Sequence, residues 1–78
     1  MQEIYTILKN LRPEFDFTES KDFVEDGFLD SFDIISLVSA LEEKYQIKIN
    51  GLDVTPEHFC SAEAIVGLIR KSGGKIQV

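Results

Sequence analysis

From Gly27 to Glu43 the chain reads Gly-Phe-Leu-Asp-Ser-Phe-Asp-Ile-Ile-Ser-Leu-Val-Ser-Ala-Leu-Glu-Glu, and this stretch restricts the fold more than any other. Ile34, Leu37, Val38, Leu41 and Tyr45 stand at i, i+3, i+4, i+7 and i+11, the spacing of one apolar face of a helix. Asp30 occupies the place of an N-cap, where a carboxylate accepts from the orphan amide of Asp33 or its neighbour. Asp33, three residues on, is placed to reach back to the cap amide. Both negative charges suit the positive end of the helix dipole. The spacing predicts a helix over about 31–45, with Ser31 at its first position and its hydroxyl outside the ladder, near solvent. Phe32 and Ile35 lie off the core stripe, with Ser39 continuing their row. They read either as a docking patch or as the edge of a wide buried face, and the spacing leaves both open.

The other elements follow from the same rules. Ile4, Ile7, Leu8, Leu11 and Phe15 repeat the helical spacing, and Pro13 ends or bends the run, giving a first helix over about 2–12. A long acidic connection follows, and its Phe15, Phe17, Phe23 and Phe28 are expected to pin it to the core. Ile47-Lys48-Ile49 alternates like a strand but is too short without a partner, so it reads as an extended loop. Asn50-Gly51 marks a turn. Thr55 followed by Pro56 opens a short helical turn through Phe59. Ser61 caps a last helix whose inward face is Ala62, Ile65, Leu68 and Ile69, ending before Gly73-Gly74. The fold class is all-α: three main helices, one short helix and a long first loop. This makes one domain over 1–78, ordered over about 2–71, with 73–78 fraying.

Seventy-eight residues suit a simple helical core near the small end of what folds without staples. Cys60 is the only cysteine, which excludes an internal disulfide and a cysteine-based zinc site. Met1-Gln2-Glu3-Ile4-Tyr5 shows no basic region, long apolar run or small-residue cleavage site. No segment approaches the roughly 20 apolar residues of a membrane span. A cytoplasmic, monomeric protein is the expectation. The net charge of −6 argues against nucleic-acid binding. Residues 14–33 hold eight acids against one base, Lys21, while the remainder is close to balanced. Such a field steers basic partners, or it simply keeps a loop solvated.

Conventional catalytic and metal chemistry finds little footing. A calcium loop starting at Asp22 would place Val24 at its third position and the short Asp33 at its twelfth, both wrong for that geometry. His58 is a lone histidine in a polar turn. Cys60, beside Phe59, reads as a small buried hydrophobe rather than a nucleophile. No base neighbours Ser31 that could activate it as a catalytic nucleophile. No metal site and no catalytic residue is expected.

The segment from Gly27 to Glu43 closely resembles the acyl carrier protein family, in which an Asp-Ser-apolar signature opens the second of four helices. Asp30-Ser31-Phe32 matches that signature, Gly27 precedes it and Leu41-Glu42-Glu43 matches the helix end. The helix order places the resemblance over residues 2–71. It implies that Ser31 carries 4'-phosphopantetheine, installed from coenzyme A by a phosphopantetheinyl transferase with magnesium. It also implies that the arm's thiol holds an acyl or aminoacyl cargo for a loading ligase and for downstream enzymes of fatty-acid, polyketide or related biosynthesis. Asp30, Phe32, Asp33, Ile35, Glu42 and Glu43 would meet those partners. Ser36, Ser39 and Phe32 depart from the common fatty-acid-synthesis pattern and suggest a different or narrower partner set. A carrier dedicated to one adenylating ligase, including a D-alanyl-carrier-like role, fits as well. An unmodified helical interaction module is the remaining alternative.

Overall fold

The computed structural model describes residues 2–76, which form four α-helices and two short 3-10 turns: α1 (Gln2–Leu11), a turn at Phe17–Glu19, α2 (Ser31–Tyr45), a turn at Gly51–Asp53, α3 (Pro56–Phe59) and α4 (Ala62–Lys71). Among the described residues there is no β-strand, so the all-α expectation holds. α1 packs against α2 and α4, and α3 packs against α4.

Each helix starts and stops for a local reason. α1 ends ahead of Pro13, which cannot donate to the preceding turn. α2 begins at the Asp30 cap and ends at Gln46, which adopts the left-handed conformation (φ 55°) and donates its amide to the Glu42 carbonyl. Pro56 opens α3, although the Thr55 side chain makes no capping bond; its hydroxyl instead meets His58 Nδ1 at 2.9 Å. Ser61 Oγ accepts the Ala64 amide at 3.1 Å to start α4.

The apolar stripes converge on one core. Ile4 and Leu8 of α1, Ile34, Leu37 and Leu41 of α2, Phe59 of α3 and Ala62, Ile65, Val66, Leu68 and Ile69 of α4 are all buried in it. Each such Leu or Ile stabilises the fold by about 1.5–3 kcal/mol relative to its exposed state. Tyr45 ties the end of α2 to the start of α1, its hydroxyl donating to Glu3 Oε1 at 3.1 Å. Burial, reinforced by Glu3, pushes the Tyr45 hydroxyl up to about 12.

The long connection between α1 and α2 is held as its phenylalanines suggest. Phe17 and Phe23 are buried. Phe15 stacks on Phe28 at 4.5 Å between ring centres, and Phe17 meets Phe15, Phe23 and Phe28 edge-on. The Phe23 amide donates to the Cys60 carbonyl at 2.8 Å, fastening this loop to the α3–α4 junction. Two acids of the loop serve as turn caps, Asp16 accepting the Thr18 amide and Asp22 those of Val24 and Glu25, and Asp26 accepts the Ser20 hydroxyl across the loop. Part of the local acidity is therefore turn chemistry.

The expectation of a tail fraying from 73 needs correction as far as residue 76. Gly73 turns with φ +93°, Gly74 donates to the Ile69 carbonyl at 2.8 Å, and Ile76 is buried in the core cluster. A β-carbon at Gly74 would lie 2.6 Å from Ile69 Cγ2, so glycine permits this close return of the chain. Gln77 and Val78 lie outside the described residues.

Candidate functional site

The chain enters α2 through a fixed approach. Gly27 takes a positive φ of 77°, which a side chain would resist. The Phe23 carbonyl then accepts from both the Phe28 and Leu29 amides, at 2.8 and 3.0 Å. Leu29 is buried at 2% exposure, and the next residue caps the helix. Asp30 Oδ1 accepts the Asp33 amide at 2.8 Å, and the Asp30 amide donates back to Asp33 Oδ2 at 3.2 Å. This reciprocal pair is the capping box expected from the spacing. The Asp33 amide above all, with its side chain, Arg12 and the Phe32 amide adding, holds the Asp30 carboxyl below its ordinary value.

Ser31 stands on this rigid entry as the first residue of α2, exposed to solvent. Phe32 beside it is 75% exposed and Ile35 63%. For residues of this size the exposure removes the wide-buried-face reading and leaves an outward apolar patch next to the serine. Ser39 is exposed as well. The positive end of the 15-residue helix lies under the Ser31 hydroxyl, so a group bearing negative charge attached there meets a favourable field.

The remaining candidates divide. Asp33 does not face solvent: it is 6% exposed, and its Oδ2 lies 3.2 Å from Arg12 Nε. Its expected role as a partner-facing acid is corrected to that of an internal scaffold group. Glu42 is half-buried, and its Oε2 accepts the Ile49 amide at 2.9 Å, which holds the α2–α3 loop. Glu43 is exposed. Asp30, Ser31, Phe32 and Ile35 thus share the accessible start of α2, while Glu42 and Glu43 stand at its far end.

Nothing in the local sequence marks Arg12 as part of this site. It is not on a helical stripe, and its partner lies across a loop of nearly twenty positions. Arg12 Nε is shielded from solvent and makes no aligned hydrogen bond, so its approach to Asp33 is an ion pair rather than a directed bond. The nearest thing to a signal was charge: Arg12 is the one base just ahead of the acidic run.

An acyl carrier protein of Wolinella succinogenes is 47% identical to this chain over 49 residues, which cover 63% of the chain and 63% of that protein. The match therefore spans less than two thirds of the relative's length. No family model and no solved structure matches. The four-helix all-α fold agrees with this similarity to an acyl carrier protein over 49 residues.

Proposed function

We propose that the chain is a carrier rather than an enzyme, with Ser31 as the attachment point for 4'-phosphopantetheine. The observation that carries this reading is the exposed Ser31 hydroxyl at the first position of a firmly capped helix, in a chain similar to an acyl carrier protein. The residues fit the group: a solvent-facing oxygen, a rigid approach through Leu29 and Asp30, and the positive end of α2 for the phosphodiester. When attached, the arm supplies a thiol that holds an acyl or aminoacyl cargo as a thioester.

This chain's own part is presentation. Asp30 fixes the serine by capping. Phe32 and Ile35 offer an apolar contact beside it, where a transferase or a loading enzyme can dock. Exposed Glu43, with half-buried Glu42, adds negative charge that favours basic partner surfaces. Partners in this reading are a phosphopantetheinyl transferase, an acyl- or aminoacyl-loading ligase and enzymes that consume the cargo, in a cytoplasmic setting. Ser36 and Ser39 on α2 favour a dedicated partner set, with a D-alanyl-type carrier among the candidates.

Incubation of the protein with coenzyme A, magnesium and a broad-specificity phosphopantetheinyl transferase, followed by intact mass measurement, tests the assignment. One pantetheinyl adduct that disappears in Ser31→Ala is the expected result. Absence of an adduct would leave the unmodified interaction module as the function, and its persistence in Ser31→Ala would remove Ser31 as the attachment point.

A further inference from the structure

The capping box that holds Ser31 contains an electrostatic problem. Asp30 and Asp33 bring two carboxylates to one helix start, and Asp33 is almost fully buried. A buried carboxylate without a counter-charge is strongly unfavourable. Asp33 Oδ2 also has a task, since it accepts the Asp30 amide. If that carboxylate swung outward to reach water, the Asp30 amide would lose its acceptor and the first turn of α2 would loosen.

Arg12 meets this need from α1. Its amide continues the last turn of that helix, donating to the Leu8 carbonyl at 2.9 Å, and Pro13 then stops the helix. Its Nε lies 3.2 Å from Asp33 Oδ2. The same guanidinium sits 5.5 Å over the Phe15 ring, and Phe15 stacks nearly parallel on Phe28. Phe28 lies three residues before Ser31, and Asp33 two residues after it. Arg12 therefore bears on the serine segment directly at Asp33 and, through Phe15, at Phe28. A second contact, at 3.5 Å to the exposed Glu14, helps orient the guanidinium.

We propose that Arg12 is a positioning residue for the modification of Ser31, neutralising buried Asp33 and bracing Phe28 through Phe15. The inference rests on the carrier reading for its consequence, though the clamp itself can be tested without it. Arg12→Gln leaves Asp33 uncompensated. Asp33→Asn in the same chain removes the charge but keeps a side-chain oxygen that can accept the Asp30 amide. A merely structural role for Arg12 in packing would not be repaired by a neutral residue at position 33.

Wild type, Arg12→Gln, Arg12→Lys and the double variant Arg12→Gln/Asp33→Asn are compared in two measurements. The first is kcat/KM for pantetheinylation by the transferase with coenzyme A and magnesium. The second is amide exchange at positions 30 and 33, whose two amides the capping box holds, with the melting curve confirming the fold. Arg12→Gln is expected to lower kcat/KM about tenfold and to speed exchange at both amides, with Arg12→Lys intermediate and the double variant restored close to wild type in both. A folded Arg12→Gln with wild-type kinetics and exchange would overturn the proposal, as would a double variant no better than the single one. If Arg12→Gln does not fold, the double variant decides, because relief of the buried charge must let it fold and restore exchange. If wild type itself gains no adduct, the carrier reading falls, while the exchange data still uphold or overturn the clamp.

Discussion

α2 and α4 begin with the same device and put it to opposite use. Each starts at a side-chain oxygen that accepts an amide three residues on: Asp30 for Asp33, and Ser61 for Ala64. At α4 the first helical residue, Ala62, is 1% exposed and packs into the core. At α2 the first helical residue, Ser31, faces solvent, and Phe32 after it is 75% exposed. Capping sets where a helix starts, but the approaching chain sets what its first turn shows. α4 is entered directly from α3, which packs on it. The approach to α2 buries Leu29 just before the cap and Asp33 just after it, so the residues between are turned outward.

The largest contrast concerns chemistry. Ser31→Ala is expected to abolish the pantetheinyl adduct in intact mass while changing unfolding free energy by less than about 0.5 kcal/mol. Ala62→Ser, which recreates a serine at the first position of α4, is expected to gain no second adduct, because that position is buried. A second adduct would show that burial does not separate the two helix starts. Next comes packing. Ala62→Leu should cost about 2 kcal/mol by overfilling the core, whereas Ser31→Leu should stay within about 0.5 kcal/mol of wild type. Equal losses in urea unfolding would erase the distinction.

The caps themselves are a smaller and sharper probe. Ser61→Ala should cost about 1 kcal/mol and leave the rate of Ser31 modification unchanged. Asp30→Ala should lower the melting temperature by about 5 °C and also slow modification. A modification rate insensitive to Asp30→Ala would remove its part in presentation.

The smallest effect distinguishes the caps by pH. The Asp30 carboxyl is held below its ordinary 3.8, chiefly by the Asp33 amide. Its folded value being depressed, its contribution is fully present above the unfolded value and is lost as pH falls through the folded one. The window therefore lies below pH 3.8. The Ser61 hydroxyl does not titrate there. Protection of the Asp33 amide, taken relative to its intrinsic exchange rate, should fall on acidification before that of Ala64, and simultaneous loss would show that the Asp30 carboxylate is not what gives way first.

Much of this contrast was legible in the sequence, and the illegible part has a common cause. Asp30, Ser61 and Pro56 act within a few residues, so their signals are local and the helix starts could be placed from them. Helical period put Phe32 and Ile35 off the core stripe but left open whether a wider face buries them, and their exposure decides it. Asp33 carried an ambiguous signal, because the residue that reaches back in a capping box can be exposed or buried. Its burial depends on Arg12, a partner joined only through the tertiary fold. Glu42 hides its structural part for the same reason, since its acceptor role for the Ile49 amide appears only once the chain has turned. Gln46 took a conformation more usual for glycine or asparagine, and composition gave no warning of it. Ile76 returned to the core beyond a glycine pair that reads as a stop.

The bond from the Phe23 amide to the Cys60 carbonyl bears on the order in which the molecule assembles. It joins the approach to Ser31 with the α3–α4 junction, across almost half of the chain. Local contacts such as those of α3 with α4 close quickly, whereas a link between distant segments must first overcome the entropy of a large loop. The serine's rigid approach is therefore expected to be among the last features to form. Under the carrier reading, a transferase that requires that approach would act on completed chains and pass over unfinished ones. The appearance of the adduct during refolding would then serve as a clock for the closing step.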